Sequence, residues 1–393
     1  MADMQKSEEN REAAVKLLTD LLAIPSVNGR DREGEVAFFV QEYFSAHGIT
    51  SRVQEIDERH ANVTAFIPGR NPSKTMILNG HLDTVPYGSL NAWHSDPAVP
   101  VIRDGRIYGR GASDMKSGLA AIVFSLCALA DRGEEPACSI LFIGTCDEEK
   151  GGLGAEAALA YLRDEGIKKG SGVRPFMLIG EPTLLRPGTA QKGCLWLQLT
   201  VQGRTSHGAY PAQGINAIAC GMRTADAISA YVSSFTHPLL GDATAQVTRI
   251  EGGVANNMTP DSCTLVMDIR LVPGVTADQV LEKGREALEA EQKNHPGLLI
   301  SFDPLTSRRA IEIDPGHGKV TALQALLRKA GCDDAPIGIS FFTDASILDR
   351  DDEMDICLFG PGDPALCHQP DEYVEIDRYL EAIRVLETFY KEN

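Results

Sequence analysis

An α/β fold, interrupted once by a smaller α+β module, is what the 393-residue sequence predicts, and three observations predict it. Apolar runs of strand length at 75–80, 138–145 and 176–180 alternate with stretches whose apolar residues recur at helical spacing, the order expected of a mixed sheet flanked by helices. From Lys192 the texture changes to alternating strand patterns at 195–201 and 263–271, set around helices near 214–233 and 276–293. From residue 315 the first texture returns. The strand, helix, strand, strand, helix, strand order of the middle part suits a small ferredoxin-like sheet with helices on one face. The chain is therefore divided into a discontinuous domain, 1–190 and 305–393, and an inserted domain, 191–304.

Each element follows from its residues. Ala14, Leu17, Leu18, Leu21 and Leu22 repeat at helical spacing within 7–24, and Pro25 stops the run. A second helix is expected from Asp31 to His47, ended by Gly48. Strands follow at 51–56, 61–67 and 75–80. Residues 86–109, rich in Gly, Pro, Asp and Asn, read as a long loop with short strands. Leu119 to Leu129 carry a helix, Cys138 to Thr145 a core strand, and Phe176 to Gly180 another. In the last part 315–331 reads as a helix, 335–340 and 354–359 as strands, and 375–391 as the closing helix. No internal repeat or low-complexity segment appears.

Composition narrows the function classes. With 55 acidic against 37 basic residues the formal net charge is -18, which repels nucleic acid and anionic membrane surfaces. The apolar run Leu119 to Ala130 falls well short of the roughly 20 residues a spanning helix needs, and the acidic, polar start Met1 to Glu12 fits no secretory signal. The nine cysteines include no C-x-x-C pair and read as small buried residues in a reducing compartment. A cytoplasmic protein without nucleic acid or membrane partners is expected.

Chemistry concentrates where strands end. The run Met76 to Gly80 exits into His81-Leu82-Asp83, whose two polar side chains share a face of an extended chain; a turn with a hydrogen-bonded histidine is the plainer alternative. Asp114 sits at the mouth of the helix that follows Gly109 to Gly118, where it can cap the helix or join a cluster of acids. Glu148 and Glu149 follow the strand at 138–145, and because adjacent side chains diverge, one can bind metal while the other handles protons. A solvated charge run is the alternative there. Glu181 follows the strand at 176–180, and His368 lies in the polar loop 360–372 after the last strand. Five ligands are too many for one four-coordinate zinc but suit two ions that share a carboxylate, with Glu148 left as the base.

The ordered set GHLDTVP, GRGASDMKSGLAA, CDEEKGG, GEPT, TSHGAYP, NNMTPDSCTLVMDIR and CHQPDE resembles the M20 metallopeptidase family, which includes acetylornithine deacetylase, succinyl-diaminopimelate desuccinylase, aminoacylase-1 and the glutamate carboxypeptidases. The resemblance runs from about residue 10 to the end. It implies a zinc-peptidase-like catalytic domain with an inserted dimerisation or lid domain, and a homodimer joined through that lid. It also implies two divalent metal ions per subunit, zinc with cobalt or manganese as alternatives. His81 and Glu181 correspond to ligands of one ion, Glu149 and His368 to ligands of the other, Asp114 to the bridge, Asp83 to the residue that steadies His81, and Glu148 to the general base. His207 resembles a lid histidine that polarises the scissile carbonyl. Asn257 and Arg270 match lid positions that bind substrate, an intramodule salt bridge being the alternative for Arg270, and Thr343 with Asp344 falls in a segment similar to the substrate loop. Cys367 departs from the alanine common before the last histidine. The function implied is cleavage of the amide bond of an N-acyl amino acid. A dipeptidase or carboxypeptidase acting on a short peptide is the alternative, and a catalytically silent binding protein on this scaffold a remote one.

Overall fold

A computed structural model describes residues 2–164 and 174–393. Two compact units divide the chain: Met1–Thr189 with Ile313–Ile337 and Thr343–Asn393, and Ala190–Glu312 with Gly338–Phe342.

In the first unit strands lie side by side in the order Ser51–Glu55, Ala61–Ile67, Cys138–Thr145, Asn71–His81, Phe176–Ile179 and Asp355–Leu358. The first two are antiparallel to their neighbours, and the last four run parallel to one another. Parallel strands are covered on both faces, and Cys138–Thr145 is buried at every position. That is why these strands read as unbroken apolar runs. The helices Ala2–Ala23, Lys116–Asp131 and Ile376–Glu392 pack into the same core through Leu17, Leu18, Leu21, Ile122, Tyr379 and Phe389. Register then decides where chemistry appears. His81 pairs with Thr145 and Asn79 with Ile179, so the residues just past each strand emerge along one carboxyl edge, where open α/β sheets place their ligands.

Two close fits hold the helix Lys116–Asp131 under that edge. Lys116, 1% exposed, donates from Nζ to the carbonyls of Leu21 (2.9 Å) and Ile24 (3.0 Å), tying down the end of the first helix. Burial is the main reason that its pKa falls to about 7. A Cβ on Gly118 would lie 1.7 Å from the carbonyl oxygen of Gly180, backbone that has no side chain to swing aside. Gly118→Ala is therefore expected to cost about 3 kcal/mol or more, the upper range for overpacking. Urea unfolding midpoints check this; an unshifted midpoint would mean the helix has room to slide.

The second unit is built on a four-stranded antiparallel sheet in the order Thr244–Gly252, Ser262–Leu271, Gly193–Gln202, Leu299–Arg308. The helices Ala217–Val232 and Ala277–Asn294 supply Cys220, Ile228 and Val280 to its core beside Leu197, Leu265 and Ile269. Both helices begin at capped positions: Asn216 accepts the Ala219 N–H at 3.0 Å, and Thr276 with Gln279 forms a capping box. Ser262–Leu271 alternates buried with less buried residues, the period-2 signal that made it visible in the sequence.

The boundary placed at 304/305 needs correction. It falls inside Leu299–Arg308, which stays paired to Gly193–Gln202 along its length, and the unit ends at Glu312. Pro304, where the register shifts before Thr306, obscured where that strand ends. Both the proline and the shift are tolerated because it lies at the sheet edge, where the missing N–H costs no ladder bond.

Candidate functional site

Asp114 is the hub of the carboxyl edge. The N-cap of the helix Lys116–Asp131 is Met115, with no side-chain cap bond, so Asp114 does not spend its carboxylate as a cap. Its Oδ1 lies 3.1 Å from His81 Nε2 and its Oδ2 3.3 Å from His368 Nε2. His368 Nε2 also approaches Glu149 Oε2 at 3.1 Å. One ligand atom each from His81, Asp114 and Glu149 lies within 4.8 Å of the others. Glu181 is 2% exposed and two residues past its strand. Burial first, then the Asp114, Glu149 and Asp344 carboxylates, push its carboxyl well up against the pull of His81.

The other charges respond to the same crowding. Burial resists a charge on His81, yet the bond to Asp114 and the carboxylates of Asp83, Glu148 and Glu181 hold its pKa well above the usual range. Hydrogen bonds to Asp114 and Glu149 push His368 up to about 10. Burial opposes ionisation of Asp114, but the two imidazoles hold its carboxyl far below the carboxylate range. Glu149 rises to about 7, mainly from burial and then from Asp114. Glu148 is also pushed well above the carboxylate range, chiefly by burial, opposed by His81 and reinforced by Asp344, Glu149 and Glu181.

These residues fit divalent cations. Both nitrogens of the His81 ring face oxygens at 3.1 Å, Asp83 O at Nδ1 and Asp114 Oδ1 at Nε2. A neutral imidazole has one N–H to give, so the arrangement calls for a second proton or for a cation beside Nε2. Glu149 Oε1 is buried with no hydrogen-bond partner among the described residues, as an atom reserved for a metal would be. Nitrogen and oxygen donors around a shared carboxylate suit zinc-class ions.

Asp83 behaves differently from expectation. Its backbone carbonyl, not its carboxylate, meets His81 Nδ1; the carboxylate stands 3.6 Å away. The carboxylate instead accepts the N–H groups of Glu148 and Glu149, both at 3.1 Å, and the Asn28 amide at 2.9 Å. It fixes the segment that carries the two glutamates.

Several residues in the site were not picked out from the sequence. Asn28 bridges Asp83 and Asp147, and the buried Glu33, raised to about 8 chiefly by burial, accepts the Asp147 N–H at 2.8 Å. Asp344, which the sequence did place in the substrate-loop segment, accepts the Thr145 hydroxyl at 2.6 Å. Glu372, fully buried, accepts N–H groups from Gly111, Ser113 and Asp114. Its place beside Asp371 in the polar loop after Pro370 gave no local signal, and only partners some 260 positions away reveal it.

The residues expected to touch substrate are placed as follows. Thr343, in the first unit, is 1% exposed, and its hydroxyl accepts the Ala345 N–H at 3.2 Å at the start of the helix Ala345–Leu348. His207, Asn257 and Arg270 belong to the second unit. His207 and Asn257 are exposed on facing loops joined by the Gly208 N–H to the Asn257 carbonyl at 2.7 Å. His207 Nδ1 accepts the Ala209 N–H, which leaves the ring proton of a neutral imidazole on Nε2. Arg270 donates from Nε and Nη2 to Asp268 at 2.7 and 3.1 Å. The intramodule ion pair weighed as its alternative role is thus present. Cys367 points its Sγ at the Asp363 carbonyl, 3.7 Å away.

Comparison with known proteins adds three findings. The profile described as Peptidase family M20/M25/M40 matches residues 77–392. Acetylornithine deacetylase of Yersinia pseudotuberculosis is 31% identical over 399 residues, covering 95% of each chain, and a probable succinyl-diaminopimelate desuccinylase of Staphylococcus aureus is 28% identical over 412 residues, covering 94% of this chain and 95% of its own. A solved dinuclear metal binding peptidase of the M20 family from Bacillus subtilis superimposes with a TM-score of 0.71 at 15% identity, over 98% of both chains; at that identity the likeness is one of fold.

Proposed function

Because the chain belongs to Peptidase family M20/M25/M40, a family of metal-dependent hydrolases of amide bonds, we propose that it deacylates an N-acyl amino acid, releasing a carboxylate and a free amino acid. The observation that carries this reading is the Asp114 carboxylate spanned by His81 and His368, with Glu149 on the same imidazole and Glu148 next in sequence. The relatives that match nearly end to end and bear deacetylase and desuccinylase names support the deacylase branch.

In this reading His81 and Glu181 hold one ion, Glu149 and His368 the other, and Asp114 both. When bound, such a pair, zinc with cobalt and manganese as alternatives, polarises the scissile carbonyl and makes the attacking water more acidic. Glu148 takes a proton from that water and returns it to the departing nitrogen. Its burial, which raises its proton affinity, suits a group that must both accept and release. Asp83 positions Glu148 and Glu149 through their backbone N–H groups. His207 presents its Nε2 proton to the carbonyl oxygen as negative charge develops there. Arg270, oriented by Asp268, meets the substrate carboxylate, with Asn257 and Thr343 as further substrate contacts. The lid joins two subunits into a homodimer. The protein works in the cytoplasm, a reading supported by its nine free cysteines, most of them buried.

Steady-state rates on metal-stripped protein reloaded with zinc, cobalt or manganese test the reading. We expect turnover of N-acetylornithine or N-succinyl-diaminopimelate to exceed that of N-acetylmethionine and of a dipeptide panel by at least ~10-fold in kcat/KM, as when a charged group meets a dedicated partner. Turnover of peptides alone would replace the deacylase with a dipeptidase or carboxypeptidase.

A further inference from the structure

We propose that Glu372, paired with Arg110, is a positioning residue that locks the bridging aspartate and the His368 loop into one register, so that uptake of the second metal ion depends on it. The inference rests on the two-ion reading above and concerns residues outside that ligand set. Glu372 is fully buried. Its Oε1 accepts the N–H groups of Ser113 (2.7 Å) and Asp114 (2.9 Å); its Oε2 accepts Gly111 N–H (3.1 Å) and Arg110 Nη1 (2.7 Å). Its own carbonyl accepts the Gly109 N–H at 3.0 Å. One residue therefore takes up most of the buried donors of the loop that presents Asp114, donors that would otherwise be costly to bury.

The same pair reaches the other side of the site. Arg110 Nη1 also donates to the carbonyl of Gln369 (3.2 Å), the residue after His368, and Nη2 to that of Pro86 (3.3 Å). The guanidinium lies 5.0 Å from the centre of the Trp93 ring. Ser113 Oγ accepts the Asp363 N–H at 2.6 Å and donates to the Asp363 carbonyl at 3.1 Å. The His368 loop is thus tied to the Asp114 loop both before and after the histidine. His368 itself holds a φ of 64°, a conformation that persists in a non-glycine residue when its surroundings impose it.

The first ion's ligands hang on different supports. His81 ends a strand paired on both sides, and Glu181 follows the neighbouring strand by two residues. Neither uses Glu372. Loosening Glu372 should therefore weaken the ion held by Glu149 and His368, which loses support at both Asp114 and the His368 loop, more than the one held by His81 and Glu181, which shares only Asp114.

The test is a titration of metal-stripped wild type and Glu372→Gln with Co²⁺, followed by calorimetry and by visible absorption. Glutamine keeps the size of the side chain, but its amide turns an N–H₂ toward donors, so one half of the four-bond set is lost. The expected result is two ions for wild type, and for the variant one ion at near wild-type affinity with the second weakened roughly 10- to 100-fold, the range for residues that orient ligands. Two ions at wild-type affinity, or equal weakening of both in a folded variant, would overturn the proposal. If Glu372→Gln does not fold, Arg110→Lys decides: selective weakening of the second ion supports the proposal, and unchanged two-ion binding refutes it. A wild-type protein that takes up fewer than two ions removes the two-ion reading itself, and this inference with it.

Discussion

Glu148→Gln is expected to lower kcat by roughly 10²- to 10⁴-fold, the span attributed to a positioned general base, while the bound metal per chain stays at the wild-type value. The change is confined to proton transfer because of how the residue is held. The Glu148 backbone N–H donates to Asp83 Oδ1 and that of Glu149 to Oδ2, and neither bond involves the side chain being replaced. Glu149 therefore keeps its place against His368. The amide of glutamine is nearly isosteric with the carboxyl but cannot accept a proton near neutral pH. Burial and the nearby Asp344, Glu149 and Glu181 carboxylates raise the proton affinity of Glu148, so the loss should be larger than for an exposed acid. Rates at saturating substrate, with metal content measured on the same samples, check the expectation. A rate within threefold of wild type would remove Glu148 as the base; parallel loss of metal would make it a ligand instead.

What could be read in the sequence, and what could not, divides along the range of the interactions. Parallel strands such as Cys138–Thr145 are buried on both faces and announce themselves as apolar runs, and the residues at their ends are then obvious places to look for chemistry. The inserted sheet was visible through the alternation of Ser262–Leu271. Its last strand was anticipated by element order, but the end of Leu299–Arg308, at the edge and carrying Pro304, was not. Asp114 left two local readings open, a helix cap or a member of an acid cluster. The structure separates them because its two oxygens are taken by His81 and His368, 33 and 254 positions away. Glu372, Arg110, Asn28 and Glu33 escaped for the converse reason. Charged and polar residues are read as exposed by default, and each of these is placed by partners that no local spacing encodes. Asp83 shows the subtler limit: its pairing with His81 was anticipated at the right position, but its backbone carbonyl makes the contact and its carboxylate serves Glu148 and Glu149.

Asp114→Asn should have the broadest effect of any single substitution in the site. The asparagine oxygen can still face one imidazole, but its amide N–H₂ must then face the other, where a shared carboxylate previously met both His81 and His368. It also removes the negative charge that holds both imidazoles at raised pKa. Losing the bridge should cost about 4 kcal/mol of transition-state stabilisation, about 10³-fold in kcat/KM, at metal concentrations that saturate wild type. A second readout does not depend on turnover. At a free metal concentration of about 100 times Kd, binding stabilises the folded protein by about 2.7 kcal/mol per site, and a 100-fold weaker site gives only about 0.4 kcal/mol. The rise in Tm on adding zinc should therefore be large for wild type and nearly absent for the second site of Asp114→Asn. The backbone frame should survive, because the Asp114 N–H remains bonded to Glu372 and the Ser113 N–H beside it does too. Equal zinc-dependent Tm shifts in the two proteins would show that Asp114 does not join two ions, and the imidazoles on either side of it would then need another explanation.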